Sequence, residues 1–438
     1  MVVLLLVPAI LSLALTFSGQ PRPPLFETTF TVDEAASEGV ALVRGSCARC
    51  DWGVDGREAA AVRILLDGKY SQNLMLYRGS DESEYRISLG TLTQGRHVLR
   101  IEADPALSAH DAGPPVISSA DVNVHSTADG SIFKAYSPIL YARPNTIGRF
   151  TDLPVLMWVE IVPTARGRQL RYSVIFTNED GGTATDRLMA TWGRTTDIEF
   201  VYGVEVDGDG KVIAEEFQGP GHEVPAFRGR HEGQHPLLWV STDNNMVSES
   251  GPTEIRYALE PLPFDLTNVS REEVMDRNPW IYTLAAKEMA REGKILEDAA
   301  AGSGKIPDAR RFVYVEACSE LKNAALAFSV RVANGSGSSH WFDSDRGLPA
   351  FRIVRSGCFR GAVPVPAGAG RPDGIRFHAF TLPPREGAPP PPPGSVRLVR
   401  VNKVFTVDER YQPLPSLFSW TGVLPLTIDG DWVELAFK

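Results

Sequence analysis

The stretch DIEFVYGVEVDGDGKVIAEEF, residues 197–217, decides the fold. Two runs rich in Val, Ile, Tyr and Phe flank a tip of Asp207-Gly208-Asp209-Gly210, which is the signature of a β-hairpin. Asp197 and Glu199 stand one residue apart on the first run, so on a strand they share a face. Like charges side by side repel. The pair is therefore a solvated surface, or it is held together by a positive charge. The tip itself is no calcium loop, because its D-x-D-G start lacks the remaining ligand spacing and a closing Glu.

Working outward, LRYSVIFTNED (170–180) and HPLLWVST (235–242) read as further strands, and residues 132–266 form a central β-sandwich with an acidic site. Before it, residues 27–126 alternate like short strands, with an Asp67-Gly68 turn inside AAVRILLDGKY (60–70). This block reads as an immunoglobulin-like or carbohydrate-binding-like sandwich. Trp52, beside glycines and charge in CDWGVDGREA (50–59), is a candidate sugar platform, with core packing as the other reading.

Residues 267–308 are a helical connector and linker. Ser270-Arg271-Glu272-Glu273 has the pattern of a capping box, and Pro279 suits the first turn of a second helix. Ile281, Leu284, Ala285 and Met289 then make one apolar face, with Gly293 as the stop. Residues 309–438 return to β patterning, broken by the five prolines of Pro389–Pro393. The fold class expected is all-β: three sandwich-like domains with a short helical connector.

The N-terminal apolar run, MVVLLLVPAILSLALTFS (1–18), fits a signal peptide, with an uncleaved membrane anchor as the other reading. Four cysteines in an exported chain suggest disulfides, with Cys318 paired to Cys358 and Cys47 to Cys50. The expected location is the cell envelope or the exterior. A net charge of −10 argues against nucleic acid as a partner. No G-x-S-x-G elbow and no H-E-x-x-H zinc motif occurs, and AAAGSGK (299–305) fails as a phosphate loop.

Polar groups concentrate instead in the central block. Asp180, Asp186, Asp197, Glu199 and His222 are the candidate metal ligands, since a hard cation such as Ca²⁺ or Mg²⁺ takes several oxygens from different segments. Arg194, Glu223, His235 and Asp243 are candidate ligand-binding residues. Arg194 also offers the opposing reading, an arginine–acid network with no metal.

GRTTDIEFVYGVEV (193–206) resembles the G-H-R-H-D-W-E-x-V-x-V signature of the necrosis- and ethylene-inducing peptide-like proteins. A related vacuolar protein sorting family carries a similar G-D-W-E stretch. A preceding strand and a following glycine-histidine segment, Gly221-His222, keep the family's order over residues 170–251. The resemblance implies a β-sandwich with a divalent cation beside a surface cavity. It places metal ligands on Asp197, Glu199 and either Asp180 or Asp186, and it puts Arg194 where the family has a metal-binding histidine. The expected partner is an extracellular glycan, a glycolipid or another membrane-surface ligand. A secreted hydrolase using paired carboxylates is the alternative, and a non-catalytic structural envelope protein is a third reading.

Overall fold

The computed structural model describes residues 23–126, 131–146, 150–179, 181–333, 338–382 and 392–437. The apolar N-terminal run, Asp180 and Pro389–Pro391 lie outside them. Six sheets are present among the described residues, two in each of three successive segments, and the chain is an all-β, multi-domain sandwich protein.

The first segment holds β1 (Phe26–Val32), β2 (Ser37–Cys47), β3 (Ala60–Leu66), β4 (Lys69–Leu76), β5 (Ser83–Leu92), β6 (Gly95–Ala103) and β7 (Pro115–Ser126). The order β1-β6-β3-β4 faces a second sheet, β5-β2-β7. Asp67 and Gly68 both take left-handed backbone angles, and Leu66 pairs with Lys69 across them. This is the two-residue turn whose twist matches that of its strands. Asp67 also accepts a bond from the Val98 amide, which ties the turn to β6.

The central segment runs α1 (Ile132–Ala135), β8 (Ile139–Tyr141), β9 (Pro154–Thr164), β10 (Gly167–Phe176), α2 (Thr185–Trp192), β11 (Asp197–Val206), β12 (Val212–Phe217), β13 (His231–Glu232), β14 (His235–Val240), β15 (Val247–Ser248), β16 (Arg256–Tyr257) and β17 (Pro261–Pro263). One sheet is β12-β11-β10-β9-β17; the other is β13-β14-β8-β16, with β15 on β14. Tyr172, Val174, Phe176, Tyr202 and Val204 fill the space between them. The strand-only reading of this block missed α2. That helix ends at Gly193, whose left-handed φ of +59° caps it. A Cβ at Gly193 would lie 2.8 Å from Arg360 Cγ, so the glycine also lets α2 approach the last domain.

Two short helices follow, α3 (Glu273–Asp276) and α4 (Trp280–Arg291). Ile281, Leu284, Ala285 and Met289 are all buried on α4, and Gly293 turns left-handed after it. The capping box does not form. α3 has no side-chain cap, and the Ser270 hydroxyl donates instead to Glu316 Oε2 at 2.8 Å. α4 reaches three neighbours at once: one apolar cluster runs from Trp52 and Tyr77 through Trp158, Ile198 and Leu284 to Tyr314 and Phe405.

The last segment contains β18 (Phe312–Lys322), β19 (Ala324–Ala333), β20 (Ser339–Asp343), β21 (Gly357–Pro364), β22 (Pro372–Thr381), β23 (Ser395–Phe405), β24 (Phe418–Leu426) and β25 (Val433–Ala436). Its sheets are β21-β18-β23-β24 and β20-β19-β22-β25. Cys318 and Cys358 are direct partners across β18 and β21 and form a disulfide; Cys47 and Cys50 form the second. No helix among the described residues is long and apolar enough to cross a membrane.

Candidate functional site at the acidic end of the central sandwich

β10 and β11 pair so that Phe176 lies opposite Asp197 and Val174 opposite Glu199. Paired residues share a face. Val174 and Phe176 point between the two sheets, so Asp197 and Glu199 do as well, at the end of that space. Ile198, between them, pairs with Ile175 and packs on the other face toward the connector. The two acids are not a solvated surface: Asp197 is 1% exposed and Glu199 9%.

Glu179, in the loop leaving β10, joins them. Burial first, and then the neighbouring Asp197, push the Glu179 carboxyl up to about 7 and that of Glu199 up to about 8. Burial pushes Asp197 up too, against the opposing pull of Arg194 and a hydrogen bond from Asn245. The Asn245 amide donates to Asp197 Oδ2 at 2.9 Å and to the Asn178 carbonyl at 3.2 Å. The Gln218 amide donates to Glu199 Oε2.

The positive charges nearby fall short. Arg194 donates to Glu272 Oε1 at 3.2 Å and to the Thr196 carbonyl, and to neither Asp197 nor Glu199. Arg271 acts on Glu199, Asp197 and Glu272 through space, without a hydrogen bond to any of them. Four carboxylates (Glu179, Asp197, Glu199, Glu272) thus face two guanidinium groups. When all are ionised, two negative charges lack a partner. Asn245 Oδ1 is buried there with no hydrogen-bond donor among the described residues. Carboxylate and amide oxygens in negative excess are the donor set of a hard cation.

The other candidates distribute as follows. His222 sits at the rim, 3.4 Å from the Asn244 side chain, and the space over Gly182 adjoins both Asn244 and Glu179. Asp243 borders the same loop, but its carboxylate is ion-paired with Arg143. Asp180 lies outside the described residues. Glu223 is exposed, and only its carbonyl is engaged, by the Gly219 amide.

Three expectations are corrected. Asp186 does not join the acids: its two oxygens accept from the amides of Arg187 and Gly302, at 3.0 and 2.7 Å, tying α2 to the linker. His235 faces the first domain, between Glu38 Oε2 at 3.1 Å and the Ser137 carbonyl at 2.9 Å. Trp52 is 0% exposed, with its indole N–H on Glu288 and the Arg291 guanidinium over its ring, so it offers no platform to a sugar. Asn245, Gln218, Arg271 and Glu272 were not read as site residues. Asn245 follows directly on the polar Thr242-Asp243-Asn244, a usable signal. Arg271 and Glu272 fell within an apparent helix cap, which hid them.

No family model matches the chain, and no curated protein matches it. Among solved structures, the C-terminal domain of EclA, described as a sugar-binding protein, aligns with 23% of this chain and 68% of its own length, at 19% identity and a TM-score of 0.18.

Proposed function

We propose that this protein works outside the cytoplasm as a binding protein for glycans or similar oxygen-rich surface ligands. It does so through a divalent cation, Ca²⁺ or Mg²⁺, at the acidic end of the central sandwich. The observation that carries this reading is the buried charge deficit: Glu179, Asp197 and Glu199 share a site with too few cations, beside the partnerless Asn245 Oδ1. Unpaired buried carboxylates are costly, and a bound cation removes that cost while leaving coordination positions for ligand hydroxyls. The resemblance of residues 170–251 to the necrosis- and ethylene-inducing peptide-like family points the same way, since it assigns metal to Asp197 and Glu199. Two disulfides suit an oxidising compartment.

Titrating Ca²⁺ or Mg²⁺ into EDTA-treated protein tests the reading. The melting temperature should rise, because a ligand bound only by the native state stabilises it. Asp197→Asn should remove the rise, and a glycan array should light up only with the cation present. A melting temperature indifferent to both EDTA and cation would refute the proposal.

A second reading has its own observation. Glu199 keeps its proton near neutral pH beside Asp197, and this is what a general acid needs. Release of reducing sugar from a polysaccharide panel, lost in Glu199→Gln, would select that hydrolase over the binding protein.

A further inference from the structure

Arg271 and Glu272 also border a cleft of 230 Å³ that separates α2 from the segment that enters β21. Arg187 and Trp192 line it from α2, Arg271 from the connector, and Arg352 and Arg355 from the last domain. Arg352 is committed: it pairs with Asp345 at 2.8 Å and lies 3.5 Å from the centre of the Phe380 ring. The guanidinium groups of Arg187 and Arg355 are not, since no carboxylate among the described residues hydrogen-bonds to them; Arg271 already faces Glu272, Glu199 and Asp197 through space. Arg187 Nε is buried with no hydrogen-bond partner among the described residues. Glu272, the acid in the lining, is already bonded to Arg194.

A chain of net charge −10 has carboxylates to spare, yet among the described residues it leaves Arg187 and Arg355 without a bonded acid in one concavity. Each guanidinium is a planar fork whose parallel N–H groups match the oxygens of a carboxylate, sulfate or phosphate. The half-buried Trp192 supplies a flat apolar wall, with the Arg355 guanidinium 5.8 Å from its ring centre. The volume suits one sugar-sized unit and excludes a long ligand.

We propose that this cleft binds an oxyanion carried on a sugar ring, as in a uronate or a sulfated hexose. The ring lies against Trp192, and the oxyanion is held by Arg187 and Arg355. The cleft shares the walls Arg271 and Glu272 with the acidic site, but its oxyanion binders Arg187 and Arg355 take no part there, so the proposal stands whether or not a metal binds at the acids.

The test is tryptophan fluorescence or calorimetric titration of the full chain with four probes: glucose 6-sulfate, glucuronate, glucose and inorganic sulfate. The two charged sugars should bind at least about tenfold more tightly than glucose or free sulfate, the scale of one lost charge-assisted contact. Arg355 is exposed, so Arg355→Ala should fold normally. It should weaken the charged sugars by about tenfold, with partial recovery in Arg355→Lys. Binding of the charged sugars should also weaken with added salt. The proposal is overturned if glucose binds as well as its sulfate, if inorganic sulfate does, if no probe binds at millimolar concentration, or if Arg355→Ala leaves a normally folded protein with unchanged affinity.

Discussion

Two clusters of acids meet the connector, and they have opposite electrostatic outcomes. Around Arg360, the carboxylate oxygens of Glu273, Asp276 and Glu316 come within 4.8 Å of one another. Proximity alone would nominate them as the metal site. Yet Arg360 is fully buried among them, bonded to both Asp276 oxygens at 2.8 and 2.7 Å and to Glu316 at 2.6 Å. Lys403 bonds to Glu273 at 2.6 Å and also to Asp276, and Arg277 bonds to Glu273 at 3.2 Å, so three cations meet the three acids. Burial would raise the Asp276 carboxyl, but Arg360 and Lys403 hold it below the ordinary carboxylate range. At the end of the central sandwich burial acts the same way and nothing sufficient opposes it, so Glu179 and Glu199 rise. The first cluster is an internally neutralised joint between the connector and β18, β21 and β23. The second is left wanting a positive charge. A site for a cation or a proton is therefore marked by charge deficit and not by crowding of acids.

The comparison breaks first at Arg360. Arg360→Ala would leave Asp276 and Glu316 buried beside a single lysine. Removing one partner of a buried ion pair costs about 3 to 5 kcal/mol. A urea midpoint lowered accordingly supports the joint. A loss below about 1 kcal/mol would mean that the cluster is no better neutralised than the acidic site. Ser270 gives a smaller effect with a diagnostic size. A hydrogen bond to a charged group contributes about 1.5 to 3 kcal/mol, against about 1 kcal/mol for a helix cap. Ser270→Ala should fall in the larger range, because its hydroxyl serves Glu316 and not α3. An effect that persists unchanged in a Glu316→Gln background would contradict that assignment.

These corrections show where the sequence is readable. Local rules carried far: the Asp67-Gly68 and Asp207–Gly210 turns, the buried face of α4 and the Cys318–Cys358 pair all follow from spacing and residue type. Each depends on neighbours in the chain or on strand register. The shared face of Asp197 and Glu199 is legible for the same reason. What lay beyond reach depends on distant partners. His235 sits in a polar stretch but is turned to Glu38, 197 residues away. Trp52 is sealed by Glu288, 236 residues on. Ser270-Arg271-Glu272-Glu273 satisfies the capping pattern, yet the serine, an arginine and both acids serve ion networks built from three segments. A motif a few residues long cannot distinguish a cap from such a network, because both use the same side chains.

The smallest expected effect sharpens the other half of the comparison. At pH 7 a Glu199 carboxyl pushed up to about 8 is mostly protonated, so it already resembles a neutral amide. Glu199→Gln keeps its shape and an acceptor for Gln218, so near pH 4, where both folded and unfolded chains carry the proton, it should change stability by less than about 1 kcal/mol; at pH 7 the variant should be the more stable, since it no longer takes up a proton on folding. The contrast appears with pH. In the unfolded chain this carboxyl loses its proton near 4.5, whereas the folded protein holds it to about 8. Between those values the native state binds the extra proton, so stability falls as pH rises through that window and levels off above it. Glu179, pushed up to about 7, adds a slope of the same sign. Asp276 contributes oppositely: its lowered carboxyl gives stability that is present at neutral pH and lost on acidification. Urea midpoints of EDTA-treated protein should therefore fall from pH 5 to pH 8.5, and the fall should be shallower in Glu199→Gln. Ca²⁺ should restore more stability at pH 8.5 than at pH 5, since the cation competes with the proton for the same oxygens. A midpoint that is flat across this range, and identical in Glu199→Gln, would show that the acids are already neutralised within the fold, as those around Arg360 are.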